Sequence, residues 1–259
     1  MKVTDLFWMS EERLGVAGVL PDGTSVRRRL GEGWPDQAWL DAGEENAMLP
    51  FYTVRLWLGD APPDSHPPVV EDRLVAPRGH CPLTVLDRPG IAALVDAVCV
   101  SSVQDVFGAP IHVEPGGGKD WYVRSGEGER SLGTVKITEV QSITVRHGRD
   151  EGYMDFRIAF RDETGESYKL PIGDITIQNY LAGLQQSGYT SQVATRVLRD
   201  TLRLQPRLYA RLALEHPSLV QPDRCFLQVS GLIALPDPDN PHPYYFLDEG
   251  RSPGRRSRR

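Results

Sequence analysis

Cysteine is scarce. Cys81, Cys99 and Cys225 are the only three in 259 residues, far apart and with no CxxC pair. That count excludes a disulfide scaffold and a cysteine-built zinc site, and it points to a reducing compartment. Long apolar runs are missing as well: none approaches the ~18 residues of a membrane span. The opening "MKVTDLFWMS" has no apolar core of the secretory-leader kind. A soluble, cytoplasmic protein is expected. No redox cysteine pair, dinucleotide glycine fingerprint or nucleophile elbow is present, so neither an enzyme nor a cofactor is expected. "GGGKD" (116–120) fails as a phosphate loop, because the leading glycine is absent and Asp120 stands where Ser/Thr holds a metal. His66, Glu71, Asp72, His80 and Cys81 are ligand residue types without ligand spacing, so they predict structural pairing and no metal site.

What the chain has is ordinary globular composition, 40% hydrophobic and 25% charged, with a net charge of −6. The last nine residues, "RSPGRRSRR", hold five of the 29 basic residues. The rest carries 24 basic against 35 acidic residues, or −11. An acidic body argues against nonspecific nucleic-acid binding over the whole surface, and the basic tail is expected to be disordered.

Along the chain, "VTDLFW", "RLGVAGVL" and "SVRRRL" read as strands, the last two joined by the turn "PDGT". "PDQAWLDAG" (35–43) reads as a short helix, "FYTVRLWL" (51–58) as a strand, and "RPGIAALVDAVCV" (88–100) as a helix. The glycine-rich segment 107–131 reads as a junction between two halves, a flexible linker or a hairpin. Beyond it come a long strand, "TVKITEVQSITVR" (134–146), then "YMDFRIAF" (153–160) with Met154, Phe156, Ile158 and Phe160 on one face. "SYKLPI" is a third strand. The helix "SQVATRVLRDTLRL" (191–204) carries an apolar stripe of Val193, Val197, Leu198 and Leu202. "RLYARLAL" (207–214) and "CFLQVSGLIAL" (225–235) close the series. Three strands, a helix and two strands is the element order of an OB-fold, a five-stranded Greek-key barrel. The expected fold is therefore mainly β with a few helices: two tandem OB-fold-like barrels. The boundaries are 1–106 for the first barrel with its following helix, 107–131 for the connection, 132–247 for the second barrel and 248–259 for the basic tail.

"VTDLFWMSEERLGVAGVLPDGTSVRRRL", "SHPPVVEDR", "GERSLGTVKI", "FRDETGESYKLPIGD" and "CFLQVSGLIALPD" together resemble the dual OB-containing proteins, a bacterial family. The resemblance covers nearly all the chain before the tail. It departs at "ARLALEHP", where the family reads like "RxGLARP", and at Ser230, where asparagine is usual. It implies two OB-folds, a predicted nucleic-acid-binding role linked with defence or conflict systems, and no chemistry.

Candidate contacts fall in three places. "RVLRDTLRLQPRLYAR" (196–211) sets Arg196, Arg199 and Arg203 on one helix side, with Asp200 spaced to pair with Arg196. Arg207, Tyr209 and Arg211 then share what alternation makes the outward face of the next strand. Cations along phosphates with a ring for base stacking suit a nucleic acid. In "VRRRL", Arg27 and Arg29 share a strand face. Trp121, Tyr122 and Arg124 follow the glycine loop and suit a base-stacking lid. The partner expected is nucleic acid, single-stranded or structured, DNA or RNA. The alternative is a scaffold that recruits a nuclease or helicase.

Overall fold

The computed structural model describes residues 1–10, 13–30, 49–63, 65–114, 120–147 and 154–235. The helix expected at 35–43 and the tail at 248–259 lie outside these.

The first unit comprises β1 (Lys2–Ser10), β2 (Arg13–Val19), β3 (Ser25–Leu30), β4 (Tyr52–Leu58) and β5 (Asp72–Val85). They hydrogen-bond in the order β1-β2-β3-β5-β4 and close on themselves. β3 runs parallel to β5, and Lys2 of β1 pairs with Thr53 of β4. The "PDGT" turn forms as expected: Leu20 N donates to Thr24 O, Gly23 N donates to Leu20 O, and Gly23 sits at φ 88, where a side chain is strained.

Next come α1 (Arg88–Val98), β6 (Cys99–Val100), α2 (Val103–Phe107), β7 (His112–Val113) and β8 (Trp121–Arg124). Within the segment expected to be a linker or hairpin, β7 and β8 pair antiparallel. β8 pairs with β14 (Arg224–Leu235), and Glu71 accepts from Ser131 N at 2.7 Å and Ser131 Oγ at 2.7 Å. Glycine content alone concealed the short "WYVR" strand, whose alternate residues pack on both sides.

The second unit is built on two sheets, one of three strands and one of six. The strand expected at 134–146 is two, β9 (Leu132–Ile137) and β10 (Glu139–His147), divided at Thr138. β10 pairs with β11 (Met154–Arg161), and β11 with β12 (Ser167–Pro171). A parallel bridge, Ile172 to Val229, joins the end of β12 to β14. β14 pairs with β13 (Arg207–Leu214), and β13 returns to β9. Taking β9 and β10 as one bent strand, the order is first, second, third, fifth, fourth, as in the first unit. α3 (Ile175–Gln186) and α4 (Ser191–Arg203) lie between third and fourth strands.

The largest apolar cluster fills the second unit and includes Val103, Val106 and Phe107 of α2. A smaller one fills the first, with Ile175 of α3 reaching into it. On α4 the buried stripe is Ala194, Thr195, Leu198 and Leu202, while Val193, expected inside, is exposed. Two further clusters matter for the site: α1 covers Tyr209, Ile233 and Leu235, and Phe7 with Ala17 meets Leu132 with Ala213.

Candidate nucleic-acid interface

β13 alternates as its sequence predicts, with Leu208, Ala210, Leu212 and Leu214 inside. Its second face is open only at Arg207, whose side chain is 40% exposed, and the expectation of an outward Arg207–Tyr209–Arg211 row is corrected at Tyr209 and Arg211. α1 covers Tyr209, which is 3% exposed; β1 covers Arg211, at 1%. Arg207 hydrogen-bonds to Asp96 of α1 and donates to Tyr209 Oη at 2.8 Å, and Tyr209 Oη donates to Asp96 at 3.1 Å. Alternation separates two faces of a strand but does not say that one of them meets water. In a sheet covered on both sides, neither does.

Arg211 belongs to a buried seam between the units. Its Nε donates to Asp5 Oδ1 at 2.8 Å and its Nη1 to Thr134 Oγ1 at 2.8 Å, while Ser230 Oγ donates to Asp5 Oδ2 at 2.9 Å. Ser230 is therefore a seam residue. Asp174 caps α3, accepting from Thr176 N at 2.8 Å and Ile177 N at 3.3 Å, and from Leu232 N at 2.9 Å. Burial pushes its carboxyl up to about 7 against those three bonds, and the Asp5 charge adds to the rise. Asp5, Asp174 and Ser230 line a cavity of about 30 Å³. That is room for one or two waters, far below the several hundred Å³ of an organic-ligand pocket.

Arg27 is buried too, at 1% exposure, which corrects its expected place on an exposed basic strand. Its Nε donates to Asp72 Oδ1 at 2.6 Å and its Nη1 crosses to the carbonyl of Leu214 at 2.9 Å. His216 Nε2 lies 2.9 Å from Asp72 Oδ2. Burial alone would raise the Asp72 carboxyl, but the Arg27 charge and the His216 contact outweigh it and hold it at about 2. Asp5, Glu71 and Asp72 of the first unit thus each bind the second. Asp72 takes the pairing with an arginine expected of it, with Arg27, whereas Glu71, expected to pair likewise, accepts from Ser131 and Leu132 instead. Arg29 lies in β3 opposite Leu74, and its side chain is outside the described residues.

The aromatic lid is also corrected. Trp121 and Tyr122 are in β8, a paired strand. Trp121 packs on Tyr168 with ring centroids 5.0 Å apart, and Tyr122 lies between His112 and the Arg224 guanidinium. Arg124 is exposed, 4.0 Å from Glu127. On α4, Arg203 donates to the carbonyls of Val140 and Gln141 at 2.7 and 2.8 Å, latching the helix to β10. Arg199 pairs with its neighbour Asp200 at 2.7 Å, in place of the Arg196–Asp200 pair expected from spacing. Arg196 is exposed.

A face that the sequence reading passed over is the outside of β10–β11–β12. Three rungs cross it: Glu139, Arg161 and Ser167; Ser142, Ala159 and Lys169; Thr144, Arg157 and Pro171. Arg161 and Ser167 are exposed, and Ser142, Ala159 and Lys169 are half-buried. Arg157 is held by Asp155 at 2.7 Å and Asp120 at 2.5 Å. The signal was available: if Phe156, Ile158 and Phe160 point inward, then Arg157, Ala159 and Arg161 point outward. Among the described residues no His, Cys, Asp or Glu side chains converge as a metal site requires. No described helix is long and apolar enough to cross a membrane. No protein-family model, curated protein or solved structure matches the chain.

Proposed function

We propose that the chain is a tandem OB-fold protein, akin to the dual OB-containing family, that binds nucleic acid without catalysing a reaction. Support for the fold comes from the shared strand order, the parallel third and fifth strands, and the helices between third and fourth strands of the second unit. OB-folds take oligonucleotides on the face of their second and third strands. In the first unit that face is packed on the second, through Ala17 and the Arg27 bond to Leu214 O. In the second unit the same face is β11–β12.

The observation that carries the reading is the middle rung there. Small Ser142 and Ala159 beside Lys169 leave a shallow track, with Arg161 on the next rung. Arg161 pairs with Glu139 at 3.1 Å, both about half exposed. Such a surface pair is worth under ~1 kcal/mol, so a phosphate replaces the carboxylate at little cost. Arg199 and Arg124 remain as outlying cations.

Fluorescence anisotropy with a labelled oligothymidylate tests this. The double variant R161A/K169A should weaken binding and flatten the log-log salt slope by about 1.4, at ~0.7 per phosphate contact on single strands. No binding by the wild type at low salt refutes the reading. One feature favours the scaffold alternative: Leu219 and Val220, at the β13–β14 turn, are 102% and 89% exposed. Adjacent aliphatic side chains wholly in water suit a protein partner such as a nuclease or helicase. L219D/V220D should then abolish partner capture and spare oligonucleotide affinity.

A further inference from the structure

The outer face of β4 carries exposed residues, whereas Asp5 and Phe7 of β1 are packed on the second unit. Inward alternation of Tyr52, Val54, Leu56 and Leu58 turns Thr53, Arg55 and Trp57 outward. The register sets Lys2 of β1 beside Thr53, extending the row by a second cation. Arg55 is exposed and makes no hydrogen bond or ion pair among the described residues. Trp57 is 59% exposed. Tryptophan buries most of its area in the average protein, so a ring left open on a regular strand is the informative kind of exposure.

We propose that Trp57, with Arg55 and Lys2, is a second contact for single-stranded nucleic acid, in which a base stacks on the indole and phosphates lie along the two cations. Same-face residues on a strand recur every ~6.6 Å, so Arg55 and Trp57 are about one extended nucleotide apart. Lys2, Thr53, Arg55 and Trp57 include no carboxylate, so an anionic strand meets no repulsion along the row.

The inference rests on the proposed nucleic-acid binding, and the experiment separates the two. Affinity for a labelled oligothymidylate of about 20 nucleotides, longer than one OB-fold's site, is measured for W57A, W57F, K2A/R55A and R161A/K169A. W57A should bind roughly ten-fold more weakly at an unchanged salt slope, since one stacked base is worth ~1–3 kcal/mol. W57F should recover most of that, and K2A/R55A should flatten the slope by about 1.4. Trp57 is exposed, so an unchanged melting temperature shows that W57A is folded. If W57A or K2A/R55A binds like wild type while R161A/K169A is impaired, the second contact is overturned and the first stands. If the wild type does not bind, both fall.

Discussion

Replacing Asp72 with asparagine tests whether the seam holds the two units together. Asp72 is 1% exposed, and its carboxyl sits at about 2. Against ~3.9 in an unfolded chain, that depression is worth about 2–3 kcal/mol at neutral pH. The variant also leaves the buried Arg27 guanidinium without its anion, and breaking one side of a buried pair costs about 3–5 kcal/mol. Urea unfolding of D72N at pH 7 should show a loss in that range.

The sign of the pH effect follows from the depressed value. Asp72 contributes its full stabilisation above pH ~5, and the contribution fades as pH falls through about 4 toward 2. The gap between wild type and D72N should therefore narrow by about 1 kcal/mol at pH 3. Comparing the two proteins cancels the opposite trend of Asp174 and Glu215, both raised to about 7 by burial. R27M/D72N, which removes both charges, should be more stable than D72N. A D72N loss below ~1 kcal/mol, or a gap independent of pH, refutes the reasoning.

Two further outcomes follow from the same seam. Wild-type stability should fall as pH rises from about 4 to 7, because folded Asp174 keeps a proton that the unfolded chain has released; D174N, still a good helix cap, should show a shallower fall in calorimetric melting temperature. Arg211→Ala should cost about 3–5 kcal/mol by stranding Asp5, and the lost affinity for oligonucleotide should return wherever the variant is folded, since Arg211 does not face solvent. Binding lost in fully folded R211A would contradict the buried placement.

Strands β3, β13 and β14 and helices α1 and α4 were legible because each shows one clean period. β3, β13 and β14 fall within a residue of their expected limits, and the order of three strands, helix and two strands was readable in the second half. β8 was not, because four residues amid glycines carry little pattern and depend on pairing with Cys225 and its neighbours of β14. The division at Thr138 was hidden as well. Thr138 is itself a good strand residue, and the bend comes from its bonds to the carbonyls of Arg161 and Asp162.

The arginines show why the site was harder to read than the fold. Period two sorts β13 correctly into two sets, yet burial of the second set depends on α1 and β1, which lie 100 or more residues away. A guanidinium and a tyrosine hydroxyl look alike in sequence whether they meet phosphate or carboxylate. The counterweight was the acidic excess: with −11 outside the tail, many arginines must lie near an acid. Asp5, Asp72 and Asp96 are those acids for Arg211, Arg27 and Arg207. An arginine in an acidic chain is best ranked for ligand contact after its partners are sought. By that criterion Arg55, in a row with no carboxylate and an open tryptophan two residues on, stands ahead of every arginine in 196–211.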